Sequence, residues 1–115
     1  MIDIKKISEQ HEKLFPKATA ESQFYKLEEE IQEAKDAITW EQNYKEIADI
    51  IIVCCGLYRW FPNTARAVAN HYYDRDLYDL DIIDKEVERK WQVNLNRKWE
   101  WNGITYKYIG VDGNE

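Results

Sequence analysis

The sequence predicts an all-α fold, a helical bundle of four to five helices followed by a short C-terminal β-hairpin or extended tail. Three observations predict it. Glycine and proline are scarce, at 4 and 2 among 115 residues, too few for a turn-rich β fold. Apolar residues recur at steps of three and four through most of the chain. One segment, residues 50–57, is apolar on every side and belongs at the centre of a bundle. A chain of this size has room for one modest core. Residues 1–99 therefore read as one all-α domain and residues 100–115 as its hairpin or tail.

Residues 2–15 place Ile4, Ile7, Leu14 and Phe15 on a short amphipathic helix, which Pro16 and the small polar residues up to Ser22 interrupt. From 22 to about 40, the stripe Phe24, Leu27, Ile31, Ala34 and Ile38 predicts a second helix. A third runs from about 41 to 60, closed by Pro62 and Asn63. In the stretch 64–81, Ala65, Ala67, Val68 and Ala69 suggest a short helix, and the Tyr/Asp-rich run 72–81 reads as a connection. Residues 82–99 are helical again, with Ile83, Val87, Trp91 and Leu95 on one side. Asn102-Gly103 then marks a hairpin over 100–109. In such a bundle Trp60, Tyr72, Tyr73 and Tyr78 are expected to remain uncovered, which points to a homo-oligomer.

Composition excludes several functions. Lysine and arginine total 16 against 22 aspartates and glutamates, a net charge of −6, which argues against a nucleic-acid polymer or an anionic membrane surface as partner. The longest apolar run, residues 50–58, is too short to span a bilayer. The opening MIDIKKISEQ lacks the apolar region of an export signal, so a cytoplasmic location is expected. Cys54 and Cys55 are chain neighbours in the most apolar segment and read as buried, reduced thiols.

The carboxylates carry the most information. Glu30 and Glu33 stand three apart on the second helix and Glu46 and Asp49 three apart on the third, so each pair points to one side. A Glu-rich helix read alone is a solvated face, with Lys26 able to pair with Glu30. Glu46 and Asp49, however, lie one turn before the all-apolar segment, in angular line with Val53 and Gly56. Carboxylates beside a buried surface are costly unless compensated, and a divalent cation compensates them. An all-oxygen donor set suits Mg²⁺ or Mn²⁺ better than zinc. A di-iron site would need Glu-x-x-His pairs, which His11 and His71 do not form.

Lys90, Asn94 and Arg97 step by four and three along the last helix. Alone, they are a solvated basic stripe. Beside a metal they are two charge-assisted donors and one orienting amide, which suits a polyphosphate.

Together these residues resemble a known family. Glu29-Glu30-x-x-Glu33, twelve intervening residues and Glu46-x-x-Asp49 are similar to the EExxE…ExxD signature of MazG-like nucleotide pyrophosphohydrolases. That all-α group also includes dimeric dUTPases, dCTP pyrophosphatases and phosphoribosyl-ATP pyrophosphohydrolases. Phe15-Pro16, Lys26-Leu27 and Lys90-x-x-x-Asn94-x-x-Arg97-x-Trp99 extend the likeness over about residues 4–99. The resemblance implies Mg²⁺, with Mn²⁺ as a substitute, on Glu30, Glu33, Glu46 and Asp49. It gives catalytic roles to Glu29, Glu30 and Glu33, Glu29 orienting or deprotonating water. It assigns phosphate or sugar contacts to Lys90, Asn94 and Arg97. The implied reaction is hydrolysis of a nucleoside triphosphate between the α and β phosphates, by a homodimer or homotetramer. A non-catalytic nucleotide- or protein-binding module of the same fold is the alternative. The residues themselves allow attack at either the α- or the γ-phosphorus; only the resemblance selects the α. The stretch 64–81 is longer and richer in Tyr and Asp than the family's minimal connection, and the tail after Trp99 matches no family element.

Overall fold

A computed structural model describes residues 2–73 and 78–110 and shows five helices and a two-stranded antiparallel hairpin. Helix α1 spans Ile4–Leu14 and opens on Asp3, whose side chain accepts a hydrogen bond from the Lys6 N–H. Helix α2, Ala20–Asp36, begins at a reciprocal capping box between Thr19 and Ser22. Thr39 caps α3, Trp40–Leu57, by accepting from the Gln42 N–H. Helix α4 is Pro62–Tyr73, and α5 is Leu80–Asn96, capped by Asp79. Strands β1, Lys98–Trp101, and β2, Tyr106–Gly110, pair with Trp99 opposite Tyr108 and Trp101 opposite Tyr106.

Helix α3 is the axis of the bundle, and α1, α2, α4 and α5 each pack against it. Residues 50–57 are buried without exception, as their all-round apolarity requires. Ile83, Val87 and Trp91 of α5, Ile4 and Ile7 of α1, and Ala69 and Tyr73 of α4 close the core over it. Cys54 and Cys55 are buried free thiols, and burial pushes the Cys54 thiol up to about 12. No helix among the described residues is long and apolar enough to cross a membrane.

Several boundaries differ from the sequence reading. Pro62 opens α4 instead of closing α3, because its fixed φ and missing N–H suit the first helical position. Tyr72 and Tyr73 are helical rather than part of a connection, whose residues 74–77 lie outside the described ones, as do 1 and 111–115. Helix α2 stops at Asp36, so Ile38 leaves the predicted stripe and is 92% exposed, and Phe24 also faces outward. Tyr73 is buried, and Trp60, Tyr72 and Tyr78 pack against the core, so the expected uncovered aromatic surface does not lie there. Helix α5 ends at Asn96, not Trp99; the Asn94 carbonyl accepts from both the Arg97 N–H and the Trp99 indole, drawing the chain out of the helix.

The C-terminal hairpin is not a detached tail. Asn102 Oδ1 accepts from the Ile104 and Thr105 N–H groups, and Gly103 supplies the positive φ of 94° that the turn requires. The Phe15 ring lies 5.1 Å from Trp99 and 4.9 Å from Tyr106, and the Lys17 N–H donates to Tyr106 Oη at 2.9 Å. These contacts fix the hairpin against the end of α1.

Candidate functional site

Helices α2 and α3 bring the two acidic pairs together. Ligand oxygens of Glu30, Glu33 and Glu46 all lie within 4.8 Å of one another. The loop between the helices is braced by Asn43, whose amide donates to the Ala34 carbonyl at 3.0 Å and accepts from Tyr78 Oη at 2.6 Å. Crowded carboxylates hold their protons. Burial first, then Asp49 and Glu33, push Glu30 up to about 8, and burial with Glu33 and Asp49 raises Glu46 to about 7. One oxygen of each, Glu30 Oε2 and Glu46 Oε2, is buried with no hydrogen-bond partner.

Asp49 stands beside this trio with a different partner. Its Oδ2 accepts from Lys90 Nζ at 2.7 Å, joining α3 to α5. Burial raises the Asp49 pKa, and the Lys90 ammonium opposes that rise. Glu29 is half-buried and paired with Lys26 at 3.9 Å, one position round the helix from Glu30 and apart from the trio. The structure therefore gathers Glu30, Glu33 and Glu46 tightly, sets Asp49 next to them, and turns Glu29 toward Lys26.

A cavity of about 350 Å³ adjoins this group, with Glu30 and Asp49 in its wall. Lys90, Asn94 and Arg97 all line it, so the predicted basic set meets Glu30 and Asp49 there, with Glu33 and Glu46 outside the wall. Arg97 arrives by a route that helical spacing does not describe. It is the C-cap of α5, in extended conformation, with its guanidinium 4.3 Å from the centre of the Tyr108 ring and its Nε buried without a partner. Lys26, Lys45 and Arg89 also reach the wall, making the cavity cationic in a chain of net charge −6.

The remaining lining is aromatic, apolar or neutral: His11 and Phe15 from α1 and the turn after it, Gln23 from α2, Ile52 and Val53 from α3, Val93 from α5, and Trp99, Thr105 and Tyr106 from the hairpin. His11 is 5% exposed; burial, with Arg59 nearby, lowers its pKa to about 4 and keeps the ring neutral. Sequence reasoning missed His11, Gln23, Lys45, Arg89, Thr105 and Tyr106. Only His11 left a trace, because it continues the Ile4, Ile7 spacing onto the buried face of α1.

No family model, curated protein or solved structure matches the chain.

Proposed function

We propose that the protein is a Mg²⁺-dependent nucleoside triphosphate pyrophosphohydrolase of the MazG-like kind, producing a nucleoside monophosphate and pyrophosphate. The observation that carries this reading is one cavity whose wall holds Glu30 and Asp49 beside Lys90, Asn94 and Arg97. The acidic trio fits a hard divalent cation. Its donors are all oxygen, they lie within a single ion's reach, and two of them are buried without partners. Glu30, Glu33 and Glu46 would hold the ion, with Asp49 alongside, and the ion would supply a compact positive charge to phosphate oxygens.

The chain's own residues take the other roles. Arg97, anchored by the Tyr108 ring, offers charge-assisted hydrogen bonds to phosphate. Lys90 neutralises Asp49 and adds a second cation, Asn94 an orienting amide. With the ion held by the trio, a carboxylate oxygen of the cluster not engaged by it would take the proton of the attacking water. Oligomer formation, through exposed apolar groups such as Ile38 and Trp40, belongs to the same proposal.

The test is pyrophosphate release from a panel of nucleoside triphosphates with and without Mg²⁺. In ¹⁸O-labelled water the label is expected in the nucleoside monophosphate. Label in pyrophosphate or orthophosphate refutes attack at the α-phosphorus, and binding without any turnover leaves a non-catalytic nucleotide-binding module.

A further inference from the structure

We infer that the aromatic side of the cavity is a slot for an uncharged nucleobase, walled by Phe15, Trp99 and Tyr106 and read at its edge by His11 and Gln23. The inference rests on the nucleotide reading above and extends it to base recognition, in which the C-terminal hairpin becomes part of the substrate site.

Buried polar groups are normally paired, because leaving one unpaired forfeits its hydration without replacement. His11 breaks that rule: it is 5% exposed, and its Nδ1 is buried with no partner. Gln23 is 7% exposed and its amide makes one long hydrogen bond, 3.4 Å, to Ser22 Oγ. Both side chains crowd the same point on α3. A Cβ at Gly56 would come within 2.5 Å of His11 Nε2 and of Gln23 Oε1. The missing side chain at Gly56 is what allows the pair to sit side by side. A neutral imidazole offers one donor and one acceptor, and a carboxamide offers both. An edge of alternating donors and acceptors, as a nucleobase carries, answers that set.

The walls suit a planar ring. Phe15 contacts His11 at 4.7 Å between ring centres, and Trp99 and Tyr106 flank Phe15 on the hairpin side. They are fixed in advance: the Trp99 indole donates to the Asn94 carbonyl at 3.0 Å, and Tyr106 Oη accepts from the Lys17 N–H at 2.9 Å. Rigid aromatic walls cost little ordering entropy on binding. Spacing agrees as well. Gly56 follows Asp49 by seven residues on α3, about 10 Å along the axis, a length that a ribose bridges between base and phosphate.

The experiment compares calorimetric binding, in Mg²⁺, of non-cleavable α,β-methylene nucleoside triphosphates with that of inorganic tripolyphosphate. The parent is expected to bind at least one triphosphate about tenfold or more tighter than tripolyphosphate, the worth of one or two buried hydrogen bonds. His11→Leu should remove most of that advantage while leaving tripolyphosphate affinity within about twofold, which also shows that the variant is folded. Gln23→Leu, which keeps His11 and the aromatic walls, should behave the same way if His11→Leu does not fold. Equal affinity of the parent for tripolyphosphate and every triphosphate overturns the slot, as does an undiminished advantage in Gln23→Leu. A triphosphate preference without pyrophosphate release upholds the slot and removes the hydrolase reading. Tripolyphosphate binding with no preference, together with pyrophosphate release from nucleoside triphosphates, removes the slot and leaves the hydrolase reading standing.

Discussion

Replacing Glu46 with Gln should stabilise the metal-free protein and abolish its stabilisation by Mg²⁺. Glu46 shares a space under 4.8 Å with Glu30 and Glu33. At an effective dielectric of about 20, two charges at that distance repel by roughly 3.5 kcal/mol, and the exposure of Glu33 reduces the recoverable part to about 1 kcal/mol. At pH 8, above the value of about 7 to which Glu46 is raised, the parent carries that repulsion. For a chain of this length about 1 kcal/mol corresponds to roughly 4 °C in Tm. Mg²⁺ tenfold above its Kd should add about 1.4 kcal/mol to the parent, roughly 5 °C, through mass action on the folded state alone. The assay is thermal unfolding at pH 8 with chelator and with Mg²⁺. The expected result is a variant that melts above the parent in chelator and does not respond to the metal. A variant that melts below the parent in chelator, or keeps the full Mg²⁺ shift, refutes the assignment of Glu46 to a cation site.

Arg97→Ala should lower kcat/KM about ten- to a hundred-fold, since a charged hydrogen bond is worth roughly 1.5–3 kcal/mol; unchanged kinetics on the best nucleotide would return Arg97 to a structural role. His11 should make the protein acid-labile. Its folded pKa of about 4 lies below the ordinary histidine value of about 6.5, so the unfolded chain binds the proton more readily, and about 3 kcal/mol of stability is lost as pH falls from 6.5 to 4. The denaturant stability of the parent relative to that of His11→Leu should fall over that range, and an unchanged difference contradicts the buried neutral ring. Glu30 and Glu46 act in the opposite sense. Their folded pKa values are raised, so metal-free stability falls as pH climbs from about 4.5 toward 8, and urea midpoints measured in chelator should show the decline. Gly56→Ala should destabilise by about 1–3 kcal/mol despite alanine's better helix propensity, because the new methyl displaces buried His11 and Gln23; a gain in Tm would show that the two side chains yield freely.

The parts of the molecule legible in the sequence are those with a period or a short-range spacing. Residues 50–57 announced their burial by having no polar side, and the i, i+3 carboxylate pairs announced that each pair shares a face. The convergence of Glu30, Glu33 and Glu46 followed once α2 was laid against α3. What was not legible depends on contacts between distant residues. Lys90 and Asp49 are 41 positions apart, and nothing in either segment says that the ammonium settles on that carboxylate. Arg97 was expected on a helical face, yet α5 ends before it, and Tyr108 holds its guanidinium beside the cavity. The hairpin's own turn signal was clear, but the docking of Trp99 and Tyr106 on Phe15 arises from rings more than 80 residues apart. Ile38 misled for a local reason: helical periodicity continued through 38, while the backbone turned at Ala37 to let Thr39 cap α3.

Site and core share one helix. Within 18 residues α3 carries Glu46 of the acidic trio with Asp49 beside it, Ile50–Ile52 in the centre of the core, and Gly56 beneath His11 and Gln23. The raised proton affinities of Glu30 and Glu46 mean that their charged forms are held against their electrostatic preference. Something must keep α2 and α3 from easing apart, and the candidates are visible: the buried side chains of α3 and the Asn43 bridge from Ala34 to Tyr78, while the Lys90–Asp49 pair ties α3 to α5. The ion pair lies in the cavity wall, so a ligand that recruits Lys90 loosens the tie between α3 and α5 as it binds. A cation on the trio would draw α2 to α3 and add positive charge beside Asp49, leaving Lys90 available to an anionic ligand. Metal and polyphosphate should therefore bind with positive coupling, each tightening the other by the same factor, as linkage between two sites demands.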